Sequence, residues 1–120
     1  MRRMFVLVAG FERKWNAAGL DDEALRALQD TLLLTPEAGA VIVGTQGVRK
    51  LRWARPGQGK SGGVRVFYVD FPVYGVLYLL TLLQKNDASN LERAERNALG
   101  ALVLEIERAL QARVAKRSRS

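Results

Sequence analysis

The chain contains neither cysteine nor histidine. Without cysteine there is no disulfide framework and no thiol chemistry. Without histidine, zinc sites, serine or cysteine triads and imidazole acid/base pairs are excluded, so any catalysis must draw on Lys, Arg, Tyr or carboxylates. No apolar run approaches the roughly 20 residues that a membrane-spanning helix needs. Met1-Arg2-Arg3 and the apolar stretch Met4 to Ala9 begin like a targeting segment, but Gly10 and Glu12 end the run too early for a secretory signal. The most informative absence is of one sign of charge. Between Glu37 and Asp70 there is no Asp or Glu, while Arg49, Lys50, Arg52, Arg55, Lys60 and Arg65 all fall inside that interval.

Ordinary surfaces interleave both charges, and a run of a single sign builds a potential that attracts polyanions. The whole molecule leans the same way, with a net charge of +7 and a pI near 10.4. Such a balance points to nucleic acid first, an anionic membrane second and an acidic protein third. With 120 residues, 48% hydrophobic and 26% charged, the rest of the composition is that of one ordinary globular domain. A single domain is expected over 1–114, followed by a basic, flexible tail over 115–120.

Met4 to Ala9 predicts a first strand. Phe11, Trp15 and Ala18 recur at helical spacing up to Gly19, and Asp21 or Asp22 caps a second helix with the core stripe Leu25, Leu28, Leu32. Thr35 to Gly39 reads as a turn, and Ala40 to Gly47 as an irregular connection. Val48 to Ala54, Val64 to Phe71 and Val76 to Lys85 then read as three antiparallel strands. The last is apolar on both faces and is therefore central; simple alternation puts Leu79, Thr81, Leu83 and Lys85 on one side. Ser89-Asn90-Leu91-Glu92 has capping-box spacing and opens a long helix with the stripe Leu99, Leu102, Val103, Ile106, Leu110.

The basic stretch sits on the first two of those antiparallel strands and the loop between them. Alternation puts Lys50 and Arg52 on one face and Leu51 and Trp53 on the other. The loop from Arg55 to Gly63 is rich in glycine, exposing backbone N–H groups that suit phosphate, and Arg65 returns beside the first strand. Gly57-Gln58-Gly59-Lys60-Ser61 superficially looks like a nucleoside-triphosphate loop. That pattern needs an earlier glycine where Ala54 stands and a helix where Gly62-Gly63 and a strand follow, so it is set aside.

Taken together and in order, Pro36-Glu37-Ala38-Gly39, Arg49-Lys50-Leu51-Arg52-Trp53-Ala54, Gly57 to Val66 and Leu79-Leu80-Thr81-Leu82-Leu83-Gln84-Lys85-Asn86 closely resemble the RelE-like toxins of bacterial toxin–antitoxin pairs, in particular the HigB-type branch. The resemblance implies an α+β fold, a compact twisted and mainly antiparallel sheet with N-terminal helices and a C-terminal helix packed on one face. It implies a cytoplasmic, ribosome-dependent mRNA endonuclease (mRNA interferase) that inhibits growth, works without metal or cofactor, and is held by an antitoxin with a helix-turn-helix domain. Operator DNA would be reached only through that antitoxin, and mRNA would be met in the 30S decoding site. Carried over by position, Lys50, Arg52, Lys60, Arg65 and Lys85 would be catalytic, with Arg49, Arg55 and Asn86 as RNA-binding neighbours. Where relatives often carry an aromatic two residues before the final lysine, this chain has Leu83. Tyr68 alternates away from Arg65 and is assigned to the core.

RNA cleavage without metal requires the 2′-hydroxyl to lose its proton, the phosphorane to be stabilised and the leaving 5′-oxygen to be neutralised. Lysine can replace histidine when neighbouring positive charge disfavours its protonated form. Lys50 or Lys60 is therefore the expected base, Arg52 and Arg65 the clamps on the phosphate, and Lys85 the acid or a further clamp. The alternative is a non-catalytic basic nucleic-acid-binding module.

Overall fold

The computed structural model describes residues 2–54, 63–84 and 91–118. In chain order they form β1 (Met4–Leu7), α1 (Phe11–Ala17), α2 (Asp22–Leu34), β2 (Ala40–Val41), β3 (Arg49–Trp53), β4 (Val64–Phe71), β5 (Val76–Gln84) and α3 (Arg93–Ser118). The strands make one sheet in the order β1-β5-β4-β3-β2. Only β1 with β5 is parallel, and the other pairings are antiparallel. The α+β class and the mainly antiparallel sheet thus stand as read.

Local signals explain most element ends. The Asp21 side chain accepts a hydrogen bond from the Ala24 backbone N–H at 2.8 Å, capping α2. At the start of α3 the reciprocal arm of a capping box is present three residues later than expected. Glu95 accepts from the Glu92 N–H at 2.9 Å, while Ser89 and Asn90 lie outside the described residues. The helix continues through Ser118, so residues 115–118 of the expected tail are helical.

The helices divide between the two faces of the sheet, which corrects the expectation of helices on one face. Phe11, Trp15, Leu28 and Leu32 from α1 and α2 pack with Val64, Val66 and Tyr68 of β4 and Leu77, Leu79 and Leu82 of β5. Val103 and Leu110 of α3 pack with Phe67, Val69 and Phe71 of β4 and Leu80 of β5. Alternating side chains on β4 point to opposite faces, so each face carries its own apolar layer and needs its own cover. A chain with apolar residues at both parities of β4 leaves no other solution.

Residues 40 and 41, expected in an irregular connection, instead pair with Lys50 and Arg49 as a short edge strand. What anchors them is a buried clamp. The Tyr68 hydroxyl donates to the Pro36 carbonyl at 2.7 Å and accepts from the Gly39 N–H at 2.9 Å. Arg49 adds a bond from its guanidinium to the Gly39 carbonyl at 2.7 Å. Gly39 is required here for space, since a Cβ would lie 2.9 Å from the Lys50 carbonyl oxygen and 3.0 Å from the Tyr68 ring. Gly39→Ala is therefore expected to push β2 off β3 and lower stability by about 1–3 kcal/mol, measurable by urea unfolding; an unchanged midpoint would mean the contact relaxes freely.

Burial pushes the Tyr68 phenol above its ordinary pKa, against the Gly39 N–H and the Arg49 charge, which favour the phenolate. A raised folded value means that this contribution is fully present below the unfolded value, about 10, and is lost as pH climbs through the folded one. Tyr68→Phe should cost about 1–3 kcal/mol at neutral pH, because it strands the Pro36 carbonyl and Gly39 N–H. It should also flatten the alkaline loss of stability relative to the parent. Parallel alkaline curves for the two proteins would contradict the assignment.

Candidate functional site

The cationic stretch begins at β3, whose alternation the structure resolves cleanly. Leu51 and Trp53 pack against the layer under α1 and α2. Lys50 and Arg52 point to the other face. Arg52 and Arg65 are direct cross-strand partners, and Lys50 is opposite Phe67. The three cations line one open cleft of about 320 Å³. Arg52 is exposed, and Lys50 and Arg65 are half-buried.

Like charges placed directly opposite on neighbouring strands repel, so this pairing costs stability. In return it makes two arginines cross-strand neighbours that line the same cleft, and a guanidinium fork suits the oxygens of a phosphate or carboxylate. Among the described residues, no cluster of three or more carboxylates is arranged to hold a metal ion. An anion is what the cleft can hold.

Leu83 is the β5 partner of Arg65, and it packs against the α3-side layer. Simple alternation had put Leu79 and Leu83 on one face; the structure puts them on opposite faces. The cause is an irregularity between β4 and β5, where Phe67 is opposite Thr81 but Tyr68 is opposite Leu79, leaving Leu80 as the extra residue. A bulge shifts every later side chain by one parity. It therefore brings Leu83, and not Leu82, beside Arg65. Thr81 instead accepts a hydrogen bond from the Lys14 ammonium of α1 at 2.8 Å.

Arg49 is not part of the cleft. It shares the Tyr68 side of the sheet, and its guanidinium bonds the carbonyls of Gly39 and, at 3.4 Å, Glu37. The same alternation that groups Lys50 with Arg52 separates Arg49 from them, so this signal was available in the sequence. Tyr68 is fully buried, as its parity indicated, although its role in holding the Pro36–Gly39 turn was not legible. Arg55, Lys60, Lys85 and Asn86 lie outside the described residues. No described helix is long and apolar enough to cross a membrane. A scan of protein-family models finds none that matches the sequence.

Proposed function

We propose that this protein is the toxin of a type II toxin–antitoxin system, a RelE-like, HigB-type mRNA interferase that cuts translated mRNA on the ribosome. The observation that carries the proposal is the Arg52–Arg65 cross-strand pair which, with Lys50, lines a single open cleft on the sheet. The sequence around it supports the reading, because no acidic residue occurs from Ala38 to Val69.

In the proposed reaction a lysine, Lys50 or Lys60, takes the proton of the ribose 2′-hydroxyl. The 2′-oxygen bonds to phosphorus, the bond from phosphorus to the 5′-oxygen breaks, and Lys85 protonates the leaving oxygen. The products are a 2′,3′-cyclic phosphate and a 5′-hydroxyl. Arg52 and Arg65 hold the non-bridging oxygens as negative charge develops on them, which is where fixed donors contribute most. Lysines are poorly matched to neutral-pH proton transfer, so much of the acceleration falls to in-line alignment of the 2′-oxygen. The 30S decoding site, which holds mRNA in a defined path, is the proposed source of that alignment.

The expected partner besides mRNA is a cognate antitoxin whose acidic segment covers the cationic face and whose helix-turn-helix domain alone touches operator DNA. The proposed location is the cytoplasm, where ribosomes translate. Primer extension on an mRNA undergoing translation tests the proposal. New 5′ ends bearing a 5′-hydroxyl are expected when the protein is present, and none on the same RNA without ribosomes. Tight binding with no new ends would instead establish the non-catalytic basic module.

A further inference from the structure

A second cationic feature is the C-terminal end of α3. The last buried residue of α3 is Leu110, and every residue from Gln111 to Ser118 is exposed. The helix thus runs on past its own core for about 12 Å. From Arg108 to Ser120 the chain carries Arg108, Arg113, Lys116, Arg117 and Arg119 and no Asp or Glu. The Ser118 hydroxyl bonds back to the Val114 carbonyl at 3.1 Å, in the last turn of the helix.

The ordinary explanation for basic residues at a helix C-terminus is the macrodipole, whose effect is confined to the last turn. It accounts for Lys116 and Arg117. It does not account for Arg108 and Arg113, which lie farther back and are equally exposed. A membrane is a poor occupant, because an interfacial helix needs a broad apolar face and Val114 is the one large apolar residue between Gln111 and Ser118. A protein groove is also poor, since such interfaces are anchored by several buried aromatic or aliphatic residues and this segment offers Val114 alone. A phosphate backbone needs neither. It is held by distributed positive charge with release of counterions.

We infer that the C-terminal end of α3, from Arg108 onward, is an RNA-backbone-binding arm, using Arg108, Arg113, Lys116 and Arg117 to grip phosphates in addition to any held in the sheet cleft. The choice of RNA over DNA rests on the reading of that cleft as an mRNA site. The arm carries no base-reading chemistry, so it adds affinity and residence without sequence preference.

The test uses the full chain and a fluorescein-labelled RNA hairpin, with binding followed by anisotropy from about 50 to 200 mM salt. Changing Arg108, Arg113, Lys116 and Arg117 together to glutamine should weaken binding by about 10- to 100-fold at the low end and flatten the log–log salt slope by about 3. Changing Arg108, Arg113 and Arg117 to lysine should restore the parent slope, because charge and not fork geometry is read. Should the quadruple variant fail to fold, Arg113→Gln alone should still lower the slope by about 0.7 to 0.9. Parent-like affinity and slope in the folded glutamine variants would overturn the arm. Tighter, arm-dependent binding to a DNA hairpin of the same sequence or to phosphatidylserine vesicles would overturn RNA as its occupant. The cleft stands or falls separately, since Arg52→Ala/Arg65→Ala with undiminished mRNA cleavage would remove that reading while leaving the arm's salt slope as measured.

Discussion

With Arg52 and Arg65 both changed to alanine, cleavage of ribosome-bound mRNA is expected to fall by about 1,000-fold or more, and growth inhibition with it. Removing a single preorganised donor from a developing oxyanion typically costs about 100- to 1,000-fold, and these two side chains face the same cleft from adjacent strands. The double variant should still fold, with the parent's far-ultraviolet circular dichroism, since the core residues of both sheet faces are untouched. Lost activity in a folded protein separates a site from a structural element. Arg52→Lys with Arg65→Lys should give an intermediate rate, because the charge persists while the bidentate fork is lost. Full toxicity in the alanine protein would leave only a basic domain.

The second large effect is on stability, and it lies at the opposite edge of the sheet. Arg3 donates from Nε to one carboxylate oxygen of Asp70 at 2.8 Å and from Nη2 to the other at 3.2 Å. Their side chains are only 5% and 13% exposed. In the sheet order β5 lies between β1 and β4, so the pair reaches past β5 to staple the start of β1 to β4. Asp70→Ala would leave a buried guanidinium without its counter-charge, and a loss of about 3 kcal/mol is expected. For a domain of this size that corresponds to a melting temperature about 10 °C lower or more. The hydrogen bond to Asp70 raises the Arg3 pKa above the ordinary guanidinium value, outweighing burial, which lowers it. A raised folded value leaves its contribution intact below the unfolded value, so Arg3 itself introduces no pH dependence across the range in which proteins are handled. Replacing both partners, Arg3→Met with Asp70→Leu, should recover most of the loss, since an apolar pair carries no desolvation cost. If Asp70→Ala unfolds at the parent's urea midpoint, the staple contributes nothing.

Much of the layout was legible before any coordinates. The bounds of β4 at Val64 and Phe71, a cap at Asp21 or Asp22, of which the structure uses Asp21, the core placement of Trp15 and the shared face of Lys50 and Arg52 all follow from local rules that operate within a few residues. Each has a single low-energy solution. An unpaired N-terminal amide takes the nearest carboxylate, and alternation on a five-residue strand leaves no freedom. The face of Leu83 was not legible. The run from Val76 to Leu83 is apolar at nearly every position, so nothing in it marks which parity is inward or where an extra residue is inserted. Only pairing with β4, which already has one parity committed to each layer, forces the bulge at Leu80.

The amino-acid sequence by itself determined that this protein concentrates positive charge on two neighbouring strands, with no acidic residue from Ala38 to Val69, and has no imidazole or thiol. Tertiary structure alone decided that Arg52 meets Arg65 across a strand pair, that Arg49 serves the Pro36–Gly39 turn, and that α3 takes the second face of the sheet and overruns it. Charge and parity are properties of neighbours along the chain. Register, bulges and the division of helices between faces depend on which distant apolar surfaces must be covered at once, and that is settled only when the whole sheet has formed.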